Sequence, residues 1–438
     1  MNMKKLFTMF ALILLTLSVF AGCSKDSAST TESGDWEKWE GKITIWDGPR
    51  WADDKENKYH WLEAKKAEFQ DKYPGVEIEI VQTPWAEFND KLSVAIAGRA
   101  WPDIAAVDIS GAININHIKQ GVIEEVGAFY SEDELKDFYP NALAAYDFDG
   151  KYYGIPNSMT VHAMLLNLDI FEAKGVEPPV DGRWTYDEFV EKMKALTGDG
   201  VYGFSTYLLP GYYEAWPFLL MDGGYPLNED ATEYTFDSKE AISGLQKLVD
   251  LKFKHNVAPQ EMGGADVGGT WNAWAAADQR SVAVQPWATW AIAAAQGEKF
   301  KTNFMVAEYP TGDTGEPVTI GGVGGWVMFK QEDADKKRMT AEFIKFISTA
   351  DEQVEWAKNY GTFPSRQSAV DQNPFGDNPE LAKAQELTTH AVAMPRHEKW
   401  ARIDEAIQKE LQLAANGEKT PEEALTDARK AVEGILGE

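Results

Sequence analysis

The sequence is poor in cysteine and in basic residues. Cys23 is the single cysteine among 438 residues, so an internal disulfide is impossible. The chain carries 42 lysine and arginine residues against 70 aspartate and glutamate residues, a formal net charge of −28 at pH 7. A field of this sign repels nucleic acid and anionic lipid headgroups, which argues against both as partners.

The sequence also lacks the motifs that mark common enzyme classes. It contains no GxSxG, HExxH or GxxxxGK[ST] segment, and no GxGxxG between a strand and a helix. Its histidines are scattered, and we interpret the seven-residue spacing of His390 and His397 as surface placement rather than a zinc site. We therefore expect no catalysis, no cofactor and no metal. Glycoside hydrolysis needs only two well-separated carboxylates, so a surface-anchored carbohydrate-active enzyme is the alternative from another class.

Aromatic residues are abundant in this acidic chain. It contains 16 tryptophans, 16 tyrosines and 21 phenylalanines, with 44% hydrophobic and 26% charged residues overall. That balance is typical of a globular protein, and the length suits two or three domains. Tryptophan in such number suggests rings presented to a ligand as well as rings packed in the core.

The N-terminus combines a short basic segment with an apolar run, residues 6–22, that stops at Cys23. The run is just long enough for a transmembrane anchor, but the small residues before the cysteine favour a cleaved signal peptide. Its end, FAGC, resembles a bacterial lipobox, although the first of these residues is not the usual aliphatic one. The resemblance implies that residues 1–22 are removed, that Cys23 is lipidated, and that residues 23–40 tether the protein outside the cytoplasmic membrane.

Strands and helices alternate early in the mature chain. Alternating apolar side chains predict strands in KITIWD and VEIEI, and PDIAAVD is a third, mostly apolar strand. Apolar residues at helical spacing predict one helix that stops at Pro74-Gly75 and another around Phe88, Leu92 and Ile96. This order predicts an α/β fold built on a mainly parallel sheet.

Four further segments carry local signals. Thr185 and Thr420 each open a capping box, which predicts a helix start at both places. Residues 335–350 show the periodicity of one amphipathic helix. Residues 261–270 are rich in glycine and alanine, and we expect a flexible loop there.

Four segments, in order along the chain, together resemble the extracellular solute-binding proteins (family 1) of ABC importers, a family that includes maltose-binding protein. The segments are KYPGVEIEIVQTPWAEFNDKLSVAIAGRAWPDIAAVD, then DGKYYGIPNSMTVHAMLLNLDIFEAKGVEPPVDGRWTYDEF, then VAVQPWATW with FMVAEYPTGDTGEPVTIGGVGGWVMF, and last NYGTFPSRQSAV with TPEEALTDARKAV. The resemblance covers nearly the whole mature chain.

The resemblance implies a two-lobed periplasmic-binding-protein-like fold of type II, each lobe a mixed, mainly parallel sheet flanked by helices. The chain would cross between the lobes near residues 159–162, 320–324 and 348–352. The N-terminal lobe would comprise residues 41–158 and 324–347, and the C-terminal lobe residues 159–323 and 348–438. Glycine suits such a hinge because it absorbs large changes in backbone dihedral angles.

The resemblance also implies capture of a carbohydrate, an oligosaccharide by preference, and its delivery by a monomer to the permease subunits of an ABC importer. An indole covers the C–H face of a pyranose, and polar side chains bind its hydroxyl edge. Thr160 stands where maltose-binding protein has an acidic sugar contact, so maltose itself is not expected. A polyol or a glycerol-phosphate ligand is an alternative in the same role, and the negative charge argues against the phosphate.

Three tryptophans are candidate ligand contacts. In VAVQPWATWAIAAA, residues 282–295, we expect Pro286 to start an alanine-rich helix that offers the ring of Trp287 to the ligand. The resemblance places Trp287 at a stacking position of sugar-binding relatives. Trp290 is either a second platform or packing between the lobes. The resemblance adds Trp400, from a region that supplies an aromatic platform in maltose-binding protein.

The remaining candidates end strands or follow the predicted hinge. Trp46, Asp47 and Asp108 stand at the carboxyl ends of predicted strands, where open α/β sheets bind ligands. Trp326 follows the glycine cluster and either faces the cleft or packs below it. Arg366 is either a contact at the rim of the cleft or a solvated arginine.

Overall fold

The computed structural model describes residues 35–50, 56–107, 115–228, 230–297, 299–395, 397 and 399–438. Cys23 and Asp108, two of the predicted functional residues, lie outside these ranges. The chain divides after Asp35, and Trp36–Glu438 forms one unit by its contacts. No helix in the described ranges has both the length and the apolar character that crossing a membrane requires.

Twelve strands lie in the described residues. They are β1 (Gly41–Asp47), β2 (Val76–Gln82), β3 (Ile104–Ala106), β4 (Asp147–Phe148), β5 (Lys151–Tyr152), β6 (Ile155–Asn167), β7 (Tyr202–Phe204), β8 (Val282–Ala288), β9 (Phe304–Ala307), β10 (Thr319–Met328), β11 (Phe363–Pro364) and β12 (Ala391–Val392). Ten of them form one sheet, and β4 pairs only with β5.

Seventeen α-helices lie in the same residues. They are α1 (His60–Lys72), α2 (Trp85–Ala97), α3 (Ile115–Lys119), α4 (Glu132–Lys136), α5 (Pro140–Ala144), α6 (Leu168–Lys174), α7 (Tyr186–Leu196), α8 (Trp216–Leu220), α9 (Lys239–Phe253), α10 (Val267–Ala275), α11 (Trp290–Gln296), α12 (Ala334–Phe346), α13 (Ala350–Tyr360), α14 (Gln367–Val370), α15 (Pro379–Glu386), α16 (Trp400–Ala415) and α17 (Pro421–Leu436). Short 3₁₀ helices are Asp35–Lys38, Val126–Phe129, Val180–Gly182 and Leu387–His390.

The large sheet is mixed. Its main order is β2-β1-β3-β10-β6-β8-β7, with β9 and β11 pairing on β6 and β12 on β10. β1 pairs in parallel with β2 and β3, as the order of elements in the sequence predicts, and β7 pairs in parallel with β8. β10 is antiparallel to β3 and β6, and β6 is antiparallel to β8.

Helices cover both faces of the N-terminal part of this sheet. Met328 of β10 belongs to a buried cluster with Phe69 of α1 and Phe343 of α12. The preceding Val327 belongs to another cluster, with Leu92 of α2. Since successive residues of a strand point to opposite faces, α1 and α12 lie on one face and α2 on the other. The fold is therefore α/β, with a mixed sheet flanked by helices, as the sequence predicts.

β6 joins the two halves of the sheet. Its first part pairs with β10, ending at the pair of Val161 and Gly321. From His162 onward it pairs with β8 instead, beginning at the pair of His162 and Ala288. This change of partner falls within the predicted crossing at residues 159–162, and β10 carries the glycines of the second predicted crossing.

Local capping signals are confirmed. Thr185 accepts a hydrogen bond from Glu188 N, and the Glu188 carboxylate accepts one from Thr185 N at 2.8 Å, so α7 begins with both bonds of a capping box. Thr420 and Glu423 make the same pair of bonds at the start of α17. Each pair satisfies two N–H groups that a helix start would otherwise leave without a partner.

Two predicted segment boundaries are wrong. The expected loop over 261–270 gives way to α10 at Val267, because the Asp266 carboxylate accepts a hydrogen bond from Gly269 N at 2.7 Å and caps the helix. The expected helix over 335–350 stops at Phe346, and Thr349 caps a new helix, α13, by accepting from Glu352 N. In the second segment, the cap at Thr349 starts a new helix although the apolar periodicity continues.

The helix start expected at Pro286 is also wrong. Pro286 and Trp287 belong to β8, and α11 begins at Trp290. Proline removes one N–H from a sheet, and the structure tolerates it because β7 pairs with β8 only as far as the pair of Phe204 and Val284. Trp287 is therefore a strand residue, opposite Ala163 of β6.

Candidate functional site

A row of polar side chains runs along one face of β6. Ser158, Thr160 and His162 are all partly exposed, whereas the residues between them are buried. Side chains two apart in a strand share one face, so these three lie side by side. They give the middle of the sheet a polar surface that solvent reaches, and we call this row the polar floor.

Glycines on the neighbouring strand leave the polar floor uncovered. Gly322 pairs with Thr160 and Gly324 pairs with Ser158, and both glycines are exposed. A Cβ atom on either glycine would stand 3.2 Å from the facing hydroxyl oxygen. Any larger side chain would therefore crowd the floor, and glycine keeps the space above the hydroxyl groups open.

An exposed tryptophan follows a segment that is hydrogen-bonded to β6. Thr289 N donates to Val161 O at 2.9 Å, which ties the start of α11 to β6. Trp290 follows directly, and 41% of its surface is exposed. Its indole is thus an exposed ring surface at the start of α11.

Trp287 lies behind Trp290 and is 1% exposed. Its ring packs against Trp271 at 5.0 Å, Tyr207 at 5.5 Å and Trp290 at 5.9 Å between ring centroids. Because the ring is enclosed on several sides, Trp287 supports the exposed indole in this structure. The prediction of Trp287 as the platform rested on the resemblance as well as on the expected helix start, and in this structure the exposed ring is instead that of Trp290.

A buried carboxylate reaches the same floor from the loop between β7 and α8. Glu214 is 2% exposed, and its Oε1 lies 3.7 Å from His162 Nε2. The other imidazole nitrogen of His162 lies 3.2 Å from Ile320 O, which holds the ring in place. The carboxylate of Glu214 also interacts with the phenol of Tyr207.

Two tyrosines flank Glu214. Tyr309 Oη donates to Glu214 O at 2.8 Å, and Tyr207 lies on the same loop as Glu214. Burial, and secondarily the charge of Glu214, raises the pKa of both phenols, so both remain neutral O–H groups.

Helix α16 holds this loop by a polar stripe. Gly211 N donates to Asp404 Oδ2 at 2.6 Å, and Gln408 Nε2 donates to Tyr212 O at 2.8 Å. Gln412, one helical turn later, makes a third bond to the loop backbone at 2.5 Å. Burial raises the pKa of Asp404 to about 6 against the opposing bond from Gly211 N. The loop that carries Glu214 is therefore fastened by three side chains four residues apart.

The carboxyl end of β1 carries a second charged group. Asp47 is 1% exposed and accepts hydrogen bonds from Arg50 and, at 2.9 Å, from Gly48 N. The Arg50 guanidinium stacks 4.9 Å from the ring centre of Trp85 and 4.7 Å from that of Trp356. Burial raises the pKa of Asp47, and Arg50 opposes that rise. Trp85, which is itself exposed, is a ring at the edge where parallel strands end.

Four predicted site residues face other surroundings. Trp46 is half-buried on the α2 side of the sheet, lining a shallow depression with Lys91 and Val94. Trp326 is buried against Trp356, at 6.2 Å between ring centroids. Of the two predicted alternatives, facing the cleft or packing below it, this structure shows packing.

Trp400 and Arg366 are also enclosed. Trp400 is buried and donates from its indole nitrogen to Tyr213 Oη at 3.0 Å. Arg366 is buried, donates to Ser348 O at 2.7 Å and to the Asp137 carboxylate at 3.0 Å, and stacks on Phe138. The expectation of a rim or solvated arginine is therefore wrong, because Arg366 ties the third predicted crossing to the end of α4.

Sequence reasoning selected Thr160 but missed its neighbours. Ser158 and His162 were detectable, because SMTVHA alternates polar and apolar residues with the period of a half-exposed strand. Glu214 carried no such signal among 70 acidic residues, and it reaches His162 only through the fold. Within the described ranges, no group of three histidine, aspartate or glutamate residues is arranged to hold a metal.

The geometry so far is an open polar strand, an exposed ring and a buried carboxylate on one α/β sheet. Residues 64–383 match the family of bacterial extracellular solute-binding proteins. The chain belongs to this family. The predicted resemblance is thereby confirmed over most of the sequence.

Individual solute-binding proteins extend the match. The maltotriose-binding protein of Pyrococcus abyssi (strain GE5 / Orsay) is 24% identical over 386 residues, which span 84% of this chain and 77% of its own. An ABC substrate-binding protein of Listeria monocytogenes, solved in complex with cycloalternan, superposes with a TM-score of 0.76 and 22% identity. That superposition covers 91% of this chain and 99% of the other.

A third similar protein was solved with a different ligand. A Mycobacterium tuberculosis protein solved in complex with glycerophosphocholine also gives a TM-score of 0.76, at 18% identity, covering 91% of this chain and 99% of its own. The two structural matches establish the two-lobed fold of these binding proteins. Since proteins of this fold bind different ligands, the ligand has to be argued from the residues of the site.

Proposed function

We propose that this protein is the substrate-binding component of an ABC importer and that it captures a carbohydrate, most simply an oligosaccharide. The observations that support the proposal are the polar floor on β6 and the exposed ring of Trp290, which follows a residue bonded to the β6 backbone. A sugar ring has an apolar C–H face and a hydroxyl edge, and the two features match these two surfaces. The sugar-binding names of the Pyrococcus and Listeria relatives agree with this chemistry.

Each contact in such a site contributes a modest free energy of binding, and several contacts together suffice for reversible capture. Covering the exposed ring by a sugar contributes about 25 cal/mol for each Å² of apolar surface removed from water. Hydrogen bonds to the hydroxyl groups and the imidazole add about 1 kcal/mol each. A few such contacts in a closed cleft reach the micromolar range, which is ordinary for reversible capture.

We propose that the ligand is enclosed by closure of two lobes about β6 and β10. The supporting observation is that β6 changes partner between Val161 and His162, beside the glycines of β10. The proposed lobes are residues 41–158 with 324–347, and 159–323 with 348–438. Helix α13 lies across this division, because Trp356 packs on Trp326 while Ala357 belongs to the cluster around Trp287. A closed form would then be recognised by the permease.

The N-terminal sequence supports a membrane tether for this role. We propose that Cys23 is lipidated after removal of a signal peptide, and that a monomer works on the outer face of the bacterial cytoplasmic membrane. The support is the apolar run that stops at the single cysteine of the chain. Detergent-dependent release of the expressed chain from the membrane fraction checks this proposal.

A carbohydrate-active enzyme is the competing function, and a ligand panel separates the two. The panel contains maltotriose, cycloalternan, arabinotriose, glycerol and glycerophosphocholine, each titrated into the protein with thermal unfolding and tryptophan fluorescence as readouts. We expect one oligosaccharide to stabilise the native state by about 2.7 kcal/mol at a hundredfold excess over its dissociation constant. Chromatography of the same mixtures should show no cleavage product with time. Steady product release would overturn the binding proposal.

A further inference from the structure

His162 lies at the point where β6 exchanges one neighbouring strand for another. The residue before it, Val161, pairs with Gly321 of β10, and His162 itself pairs with Ala288 of β8. Its side chain belongs to the polar floor, and 13% of that side chain is exposed. The position of this imidazole is therefore shared by the floor and by the junction between the two halves of the sheet.

Both ring nitrogens of His162 face oxygen atoms. Nδ1 lies 3.2 Å from the backbone oxygen of Ile320. Nε2 lies 3.7 Å from Oε1 of Glu214, a residue that is 2% exposed. A backbone carbonyl and an ionised carboxylate accept hydrogen bonds but cannot donate them, so each oxygen requires an N–H group opposite it.

A neutral imidazole cannot satisfy both oxygens in either of its tautomers. It carries one N–H group, and its other nitrogen presents a lone pair. With the hydrogen on Nδ1, a lone pair would face the Glu214 carboxylate. With the hydrogen on Nε2, a lone pair would face the carbonyl of Ile320. The doubly protonated ring offers an N–H group to each oxygen, and its positive charge attracts the buried carboxylate.

The surroundings of Glu214 supply no competing cation. Within the described residues, no lysine or arginine pairs with this carboxylate, and the titratable groups beside it are two phenols. Tyr207 interacts with the carboxylate, and Tyr309 Oη donates to the backbone oxygen of Glu214 at 2.8 Å. On the neighbouring strands, His162 faces a backbone carbonyl of β10 and pairs with Ala288, neither of which titrates. The imidazole is therefore the group that can give this buried carboxylate a counter-charge.

We infer that Glu214 holds His162 as an imidazolium, and that this second ring proton is a pH-dependent lock on the polar floor and on the junction of β6 with its neighbours. With the proton in place, the ring is held by Ile320 O on one side and by Glu214 on the other. Loss of the proton at alkaline pH leaves a lone pair facing an oxygen and a buried carboxylate without a counter-charge. The ring then turns away from one partner, which changes the surface of the floor. This lock does not depend on which ligand the protein captures.

Glu214→Gln is the variant that tests the lock. Glutamine keeps the shape of the side chain, and its amide N–H donates to the lone pair of a neutral ring, so the variant needs no second ring proton. Glu418→Gln makes the same charge change on an exposed residue after α16 and is the matched control. His162→Gln identifies the ring signals of this histidine by their loss. Nitrogen-15 NMR of the imidazole rings and urea unfolding from pH 6 to pH 9 are measured on the full chain without ligand.

We expect hydrogens on both ring nitrogens of His162 at pH 7.5, where an unperturbed imidazole is about nine-tenths neutral. Glu418→Gln should give the same spectrum, whereas Glu214→Gln should show one nitrogen without hydrogen. Between pH 7 and pH 9, unfolding of the wild type should release up to about one proton more than unfolding of Glu214→Gln. The free energy of unfolding of the wild type should therefore fall more steeply as the pH rises, because the folded state holds a proton that the unfolded chain has lost.

Two outcomes overturn the inference. One is a wild-type His162 ring with a nitrogen that carries no hydrogen at pH 7.5, and this spectrum decides the question even if Glu214→Gln does not fold. The other is an equal pH dependence of unfolding in the wild type and a folded Glu214→Gln variant. Neither outcome bears on oligosaccharide capture, which the ligand panel tests separately.

Discussion

Asp47 and Glu214 are both buried carboxylates, but the chain gives them different partners. Asp47 accepts from Gly48 N and from Arg50, whose guanidinium is in turn held between two indoles. Glu214 faces the imidazole of His162 at 3.7 Å and the phenol of Tyr207, and no arginine or lysine pairs with it within the described residues. A buried carboxylate that is paired with a cation becomes costly when the cation is removed, because its charge is then left unpaired.

The same contrast separates the two tryptophans of β8 and α11. Trp287 is enclosed by other rings, and Trp290 is 41% exposed. Enclosure indicates a structural role, and exposure leaves a ring available to a ligand. Substitutions at four residues test these assignments.

The largest effect is expected at Trp287. Trp287→Ala should lower the free energy of unfolding by about 3–5 kcal/mol, because it empties the centre of a packed aromatic cluster. Trp290→Ala should change it by only about 0.5 kcal/mol but weaken oligosaccharide binding roughly ten- to a hundredfold, since the covered ring surface is lost. Urea unfolding and titration calorimetry measure the two quantities. Unchanged affinity in Trp290→Ala would contradict the assignment of the platform.

The next effect is expected at Arg50. Arg50→Met removes the guanidinium and leaves Asp47 buried and unpaired, which should lower the free energy of unfolding by about 3–4 kcal/mol at pH 7. The loss should shrink in acid, because protonation removes the unpaired charge. Arg338→Met is the control: Arg338 also stacks on a ring, 5.3 Å from the centroid of Trp36, but is exposed. Equal losses in both variants would show that stacking alone matters.

The smallest effect is expected at Asp404, which fastens the Glu214 loop. Burial raises its folded-state pKa to about 6 from 3.8, so protonation favours the folded state. Its contribution is complete below about pH 4 and is lost as the pH rises through about 6, a loss of up to about 3 kcal/mol. Asp404→Asn should abolish this part of the pH dependence and gain stability at pH 7.

An exposed carboxylate next to Asp404 in the sequence provides the control. Glu405→Gln changes an exposed carboxylate on the same helix and should keep the wild-type slope. Chemical unfolding from pH 4 to pH 7 gives both curves. Parallel curves for wild type and Asp404→Asn would show that the Asp404 carboxylate is ionised without penalty in the folded protein.

Local signals in the sequence predicted much of the fold correctly. The capping boxes at Thr185 and Thr420, and the strand and helix periods around β1, α1, β2 and α2, all depend on groups a few residues apart. Such interactions depend only on residues that are close in sequence, so they can be recognised without knowing the fold. The order of these elements also predicted the parallel pairing of β1 with β2 and β3.

Errors arose where distant parts of the chain decided the outcome. Proline at Pro286 normally favours a helix start over a strand, but pairing with β6 keeps the segment extended as far as Ala288. Pro286 pairs with Met164, which is distant in the sequence. Such tertiary pairing overrides the local preference for a helix, because strand formation depends on the neighbours that the fold supplies. Trp326, Arg366 and Trp400 are enclosed for the same reason, since burial depends on what packs over a residue and not on its neighbours in sequence.

The sequence by itself determined the class of the protein: an acidic, aromatic-rich α/β chain with a single cysteine after an apolar run, and membership of the solute-binding family. Only the tertiary structure decided which ring is open and which carboxylates are buried. The segments that carry Trp290 and Glu214 each contact β6 from separate elements, one through Thr289 and the other through His162. Composition and periodicity are properties of segments, whereas a binding site depends on the distances between them.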